Sequence, residues 1–119
     1  MMRQRKVEQE MEINLSDIVK RLDDRDPIVR ESAATYCAIL GEKALSARQA
    51  LINHIEDPEI AVRISIAEAL YQVGERQCSL RVINQALLSE SAVIRVQALQ
   101  LLESFGYDVS IARRLATTP

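Results

Sequence analysis

The stretch VRISIAEALYQVG, residues 62–74, has two counterparts in this chain of 119 residues: VRESAATYCAILG at 29–41 and IRVQALQLLESFG at 94–106. The arginines of the three stretches stand at positions 30, 63 and 95, which are 33 and 32 residues apart. Eleven residues after each arginine comes a glycine, and these three glycines are the only ones in the chain. A fixed period of this length is the signature of a repeat architecture.

Each stretch has the spacing of a helix with one apolar face. Counted from the arginine, positions −1, +3, +4, +7 and +10 are apolar or cysteine, and these offsets lie on one side of an α-helix. The closing glycine fits a helix end that needs a positive φ angle. Asp26-Pro27 and Asp57-Pro58 are predicted to begin the helices, because aspartate caps free N–H groups and proline suits a first turn.

A second amphipathic segment precedes each arginine. Its apolar residues are Leu15, Ile18, Val19 and Leu22, then Ala47, Leu51, Ile52 and Ile55, then Leu80, Ile83 and Leu87. Because every helix is apolar on one side only, no pair can bury its own apolar surface and neighbouring pairs must stack. We therefore predict an all-α fold, a right-handed α-solenoid of about three helical hairpins with an extra terminal helix.

The predicted domain covers residues 13–119, with repeats at about 13–41, 42–74 and 75–106 and a partial repeat at 107–119. An apolar fraction of 48% and a charged fraction of 27% are typical of a folded domain. Residues 1–12 are charged and glutamine-rich without a clean apolar stripe. We predict a charged N-terminal extension there and assign it no fold.

Composition and motifs argue against several functional classes. The formal net charge is −2, which offers no basic footprint for nucleic acid, and no apolar run approaches the ~20 residues that cross a bilayer. The sequence has no phosphate-binding loop and no HExxH or GxSxG motif. Its two cysteines and one histidine lack zinc-ligand spacing. We expect no enzyme activity, cofactor or metal, a buried free thiol at Cys37, and a surface or helix-end position for His54.

The arginine, the paired small residues and the glycine together resemble HEAT repeats, specifically the short bacterial kind called phycobilin-lyase-type HEAT-like repeats. The resemblance covers roughly residues 15–116. It implies a ladder in which an aspartate of the inter-helix turn and the arginine of the second helix link adjacent repeats. The matching residues are Asp24, Arg30, Asp57, Arg63 and Arg95. Ser89 stands where the third repeat would carry its aspartate.

The resemblance leaves the biological setting open. Similar repeats occur as stand-alone adaptors, as lyase subunits that handle bilin pigments, and as C-terminal extensions of bacterial sulfatases. Residues 78–82 lack the proline and the placed arginine of a sulfatase active site. A stand-alone module favours the cytoplasm, whereas a sulfatase region would be periplasmic or secreted.

Function in such solenoids lies on the concave surface, which HEAT folds line with their second helices. Positions +1, +5 and +8 from each arginine face away from the apolar stripe. The predicted partner-binding residues on this face are Glu31, Thr35, Ile64, Glu68, Tyr71, Val96, Gln100 and Glu103. We expect a scaffold or interaction module that binds a protein partner, or an adjacent domain of the same protein, through this face. The alternative is an accessory region of a larger enzyme such as a sulfatase.

Overall fold

The structure, a computed structural model, describes residues 15–116. Within that range the chain forms seven α-helices and one 3₁₀ helix. Their bounds are 15–21 (α1), Pro27–Leu40 (α2), Gly41–Ala47 (the 3₁₀ helix), Arg48–Ile52 (α3), Ile60–Gln72 (α4), Arg76–Leu87 (α5), Ala92–Ser104 (α6) and Ser110–Ala116 (α7). The predicted extension at 1–12 lies outside the described residues.

Consecutive helices pair into hairpins. The first hairpin is α1 with α2, the second is the 3₁₀ helix and α3 with α4, and the third is α5 with α6, while α7 follows as a single helix. The described part of the chain contains no β-strand. The all-α prediction is therefore confirmed, and its one local surprise is that the first helix of the second hairpin is split into a 3₁₀ and an α segment.

Each second helix begins three residues before its arginine, and the residue four positions before the arginine is its N-cap. The side chain of Asp26 accepts the backbone N–H of Ile28, and proline occupies the first turn of α2. The side chain of Ser91 caps α6 by accepting the backbone N–H of Ile94, whereas α4 follows Glu59 with no side-chain cap. The prediction that Asp57-Pro58 opens α4 is wrong, because Asp57 stands six residues before its arginine and serves the turn instead.

Two of the repeat glycines show why the second helices end where they do. Gly74 and Gly106 have φ angles of 97° and 95°, which side chains with a Cβ rarely adopt. The residue after each glycine donates its N–H back to a carbonyl five residues earlier, over 2.8 Å to Leu70 and 3.1 Å to Leu102. These bonds satisfy carbonyls that the helix end leaves free.

The core lies at the junctions between hairpins rather than inside any one of them. The largest cluster joins the first two hairpins and includes Leu22, Cys37, Leu51 and Leu70. A second cluster joins α4 to the third hairpin, and a third places Leu99 against Val109 near α7. The predicted apolar stripe is buried or half-buried throughout, and this arrangement is that of a stacked α-solenoid.

The two junctions between second helices differ in closeness. Helix α2 packs against α4 over much of its length, whereas α4 and α6 meet at only a few residues. Small side chains, such as Ala34 and Ala69, permit the close contact. It also buries Ala38, which stands at position +8 from Arg30, one of the positions predicted to face away from the apolar stripe, so that prediction is wrong for Ala38. The wider spacing of α6 leaves a depression on the face that the second helices share.

Candidate functional site

A groove of about 290 Å³ crosses the face formed by the second helices. One wall comes from α2, the floor from α4 and the other wall from α6. The lining residues are Glu31, Ala61, Ile64, Ser65, Glu68, Gln97, Gln100, Leu101 and Ser104. Four of the eight predicted partner-binding residues, Glu31, Ile64, Glu68 and Gln100, therefore meet in one concavity although they come from three different repeats.

The groove is polar with an acidic bias. Glu31 and Glu68 contribute carboxylates, and no lysine or arginine of the described range 15–116 lines the walls. Burial raises the pKa of Glu68, because a half-buried carboxylate loses part of its hydration. Within the described residues, neither glutamate takes part in an ion pair. A cationic or hydrogen-bond-donating group entering the groove would replace the water that Glu68 has lost.

An ion pair joins the first two hairpins. The Arg30 guanidinium donates from Nε to Asp57 Oδ2 over 2.8 Å and from Nη2 to Asp57 Oδ1 over 3.1 Å. Its Nη1 donates to the carbonyls of Asp24 and Arg25 in its own turn. One arginine side chain thus ties the turn of the first repeat to the turn of the second.

The pair is shielded from water, with 12% of the Arg30 side chain and 3% of the Asp57 side chain exposed. Burial pushes the pKa of Asp57 upward, but hydrogen bonds from Arg30 and from the Glu59 N–H outweigh it and leave the pKa below its ordinary value. The same hydrogen bond raises the pKa of Arg30. Both residues are therefore charged at neutral pH, as a bidentate pair requires.

A family model described as HEAT repeats matches residues 15–103 of the chain. The chain belongs to the HEAT-repeat family. No curated protein and no solved structure matches it. HEAT repeats commonly mediate protein interaction or scaffolding and are typically non-catalytic.

The turns of the three HEAT repeats share one hydrogen-bond pattern. The side chains of Asp24, Asp57 and Ser89 each accept the backbone N–H two residues later, at 2.9, 3.0 and 3.2 Å. Their carbonyls each accept a bond from the arginine six residues later. Ser89 thus keeps the turn of the HEAT repeat but supplies no carboxylate, and no ion pair joins Arg63 to an acidic residue in the described part of the chain.

A second polar contact, which was not predicted from the sequence, crosses the first HEAT junction. His54 Nε2 lies 2.9 Å from Asp23 Oδ1, just beyond the end of α3. The only signal was positional, since Asp23 adjoins the ladder residue Asp24 and His54 stands three positions before the ladder residue Asp57. His54 had been predicted as a surface or helix-end residue, and its side chain is 20% exposed.

Four predicted partner-binding residues lie outside the lining of the groove. Thr35 and Val96 are half-buried on their helices. Glu103 pairs with Arg113 and lines a separate depression between α6 and α7. Tyr71 lines a third depression at the glycine ends of α2 and α4.

The Tyr71 ring is occupied by contacts within the HEAT stack. It stacks on Phe105 with 3.7 Å between ring centroids and 4° between ring planes, and the Arg76 guanidinium lies 5.3 Å from its centroid. A hydrogen bond with Tyr71 also raises the pKa of Tyr107. The aromatic side chain therefore joins the second repeat to the third.

The last features considered are metal-ligating side chains, membrane-spanning helices and the two cysteines. No cluster of three or more metal-ligating side chains occurs among the residues that the structure describes, and none of the described helices is long and apolar enough to cross a bilayer. Cys37 and Cys78 are both free thiols, and Cys37 is buried, which confirms the prediction for Cys37.

Proposed function

We propose that this chain is a non-enzymatic interaction module that binds a protein partner through the groove on the face of its second helices. The observation that carries the proposal is the convergence of Glu31, Ile64, Glu68 and Gln100 on one concavity. Stacking is what brings them together, because each repeat contributes only a few positions to the shared face. The partner is a separate protein or a neighbouring domain of the same protein.

The composition of the groove supports a peptide-like occupant. Half-buried Ile64 offers a small apolar contact at its floor, surrounded by amide, hydroxyl and carboxylate groups. An apolar centre with a polar rim is the usual anatomy of a protein-binding patch. The two carboxylates favour a partner segment that presents lysine or arginine, because opposite charge guides and orients association.

A pair of photo-crosslinking variants tests this proposal in the cells that express the protein. One variant carries the crosslinking amino acid in place of Gln100, in the groove, and the matched control carries it in place of Gln77, exposed on α5. We expect a defined protein adduct from position 100 that is absent from position 77. Adding Glu68→Lys to the position-100 variant should abolish the adduct. Equal adducts at both positions, or an adduct insensitive to Glu68→Lys, would contradict binding in the groove.

The accessory-region alternative, including a sulfatase extension or a phycobilin-lyase type of repeat, stays a prediction from the sequence. The described residues add no specific observation in its favour, so the binding module is the function that we propose.

A further inference from the structure

The junction between the first two hairpins, where α2 packs closely against α4, is called the closed junction. Two polar contacts between side chains cross it. The first hairpin supplies the arginine and a carboxylate seven residues before it, Arg30 and Asp23. The second hairpin receives them with Asp57 and His54. The side of a hairpin that contacts the preceding hairpin therefore carries a carboxylate and, three positions before it, a basic residue. We call these two residues the receiving pair.

A receiving pair also occurs on the open end of the stack. Shifting Asp57 and His54 back by the 33-residue period gives Asp24 and Arg21. Both are exposed. The Asp24 carboxylate accepts the Asp26 N–H, as Asp57 accepts that of Glu59, and within the described chain it joins no ion pair. The first hairpin thus carries a complete receiving pair with no hairpin placed before it among the described residues.

Apolar side chains accompany this pair. On α2, Ile28 and Tyr36 are 69% and 44% exposed. Their equivalents one repeat later are Ala61 and Ala69, of which Ala69 is fully buried in the cluster shared with α2. At the Tyr36 position the end face therefore repeats, with a larger side chain, a surface that is covered elsewhere in the molecule by a second helix, whereas the equivalent of Ile28, Ala61, is half-buried and lines the groove. Larger side chains keep two helices further apart, so a hairpin docked on this face would form a wider junction, like that between α4 and α6.

We propose that the face formed by Arg21, Asp24, Ile28 and Tyr36 docks a helical hairpin of a partner repeat protein, which supplies an arginine to Asp24 and a carboxylate to Arg21. The charge pattern of the face and its continuity with the closed junction define this occupant. The proposal concerns a different surface from the groove and stands independently of it.

A second copy of this chain fits the face poorly. The last hairpin carries Leu88, 85% exposed, where the partner needs its carboxylate seven residues before the arginine, and α7 already packs beside α6 at that end. The second hairpin has both required groups, with Glu56 standing seven residues before Arg63. It is therefore the natural probe for the docking hairpin.

The test adds a copy of residues 42–74 in front of Met1 of the full chain, so that the added hairpin precedes the first hairpin in the sequence. We expect the thermal unfolding midpoint of this fusion to exceed that of the parent chain in a single cooperative transition. Asp24→Asn should lower the midpoint of the fusion and leave that of the parent unchanged.

Three outcomes would overturn the proposal. The first is a fusion whose midpoint equals that of the parent or does not respond to Asp24→Asn. The second is a parent chain that Asp24→Asn itself destabilises, since the face would then be occupied within the chain. The third is a parent that is dimeric by light scattering and becomes monomeric on Tyr36→Asp, because the occupant would then be a second copy.

Discussion

The Arg30 guanidinium of the first repeat donates two hydrogen bonds, of 2.8 and 3.1 Å, to the Asp57 carboxylate of the second repeat, although the two residues are 27 positions apart. Asp57 also accepts the Glu59 N–H, and Arg30 also bonds to the carbonyls of its own turn. Almost every polar atom of the pair is therefore satisfied, which is the condition under which a shielded ion pair is stable. The pair links the turn of one repeat to the turn of the next.

The lowered pKa of Asp57 predicts an acid-sensitive contribution to stability. The unfolded aspartate titrates near pH ~3.9, and the folded one titrates lower because of Arg30 and Glu59, despite its burial. The contribution is therefore complete above about pH 4 and is lost as the pH falls through the folded pKa. The difference in unfolding free energy between the native chain and Asp57→Asn, measured in urea, should be constant from about pH 7 to 5 and shrink below about pH 4. A difference that persists unchanged into strong acid would contradict this assignment.

Substitutions on the buried and exposed faces of the second helices should have different effects on the free energy of unfolding. Leu70 is fully buried in the largest cluster, so Leu70→Ala should lower the free energy of unfolding by about 2–5 kcal/mol. Gln100 is exposed in the groove, so Gln100→Ala should change it by less than about 0.5 kcal/mol. Chemical denaturation of both variants provides the comparison, and equal effects would mean that the faces are reversed.

Gly74 should resist replacement for a purely backbone reason. A Cβ at this position would meet no atom within 4 Å, but the φ angle of +97° disfavours any side chain. Gly74→Ala should therefore lower the free energy of unfolding by about 1–2 kcal/mol. Gln72→Ala, at an exposed helical position of the same turn, serves as the control and should be close to neutral. A neutral Gly74→Ala would show that the helix end does not depend on the positive φ.

The Cys37 thiol should not react with alkylating reagents in the folded protein. It is fully buried, and burial raises its pKa to about 11, so both access and thiolate formation are suppressed. In a Cys78→Ser background, alkylation by iodoacetamide followed by mass spectrometry should proceed only after urea is added. Labelling of the native chain at the denatured rate would contradict the burial of Cys37.

The helices and their buried stripes could be predicted from the sequence because both depend on local spacing. Apolar residues at offsets of 3, 4 and 7 fix which side of a helix is buried, and Gly74 and Gly106 fix where it ends, whatever lies beyond. The cap at Asp26 was predicted for the same reason. Asp57-Pro58 has the same residue types as Asp26-Pro27 but stands two positions earlier in its repeat. Only the distance from the arginine, six residues for Asp57 and four for Asp26, distinguishes the turn residue from the cap.

Contacts between repeats were harder to predict, because they depend on how closely one hairpin approaches the next. Ala38 is buried since α2 and α4 come close together, and Tyr71 meets Phe105 because the third repeat lies where its ring can stack. The contact between His54 and Asp23 has the same origin. On the groove side, spacing from the arginine was sufficient for Glu31, Ile64, Glu68 and Gln100, and insufficient for Tyr71.

The most direct test of the stack compares Asp57→Asn with Asp24→Asn. The two aspartates hold the same position in successive repeats and make the same turn, but among the residues that the structure describes only Asp57 receives an arginine from the repeat before it. We predict that urea denaturation will show Asp57→Asn lowering the free energy of unfolding by at least about 1.5 kcal/mol. Asp24→Asn should stay within about 0.5 kcal/mol of the native chain. Equal losses in the two variants would contradict the claim that contacts between repeats hold this protein together.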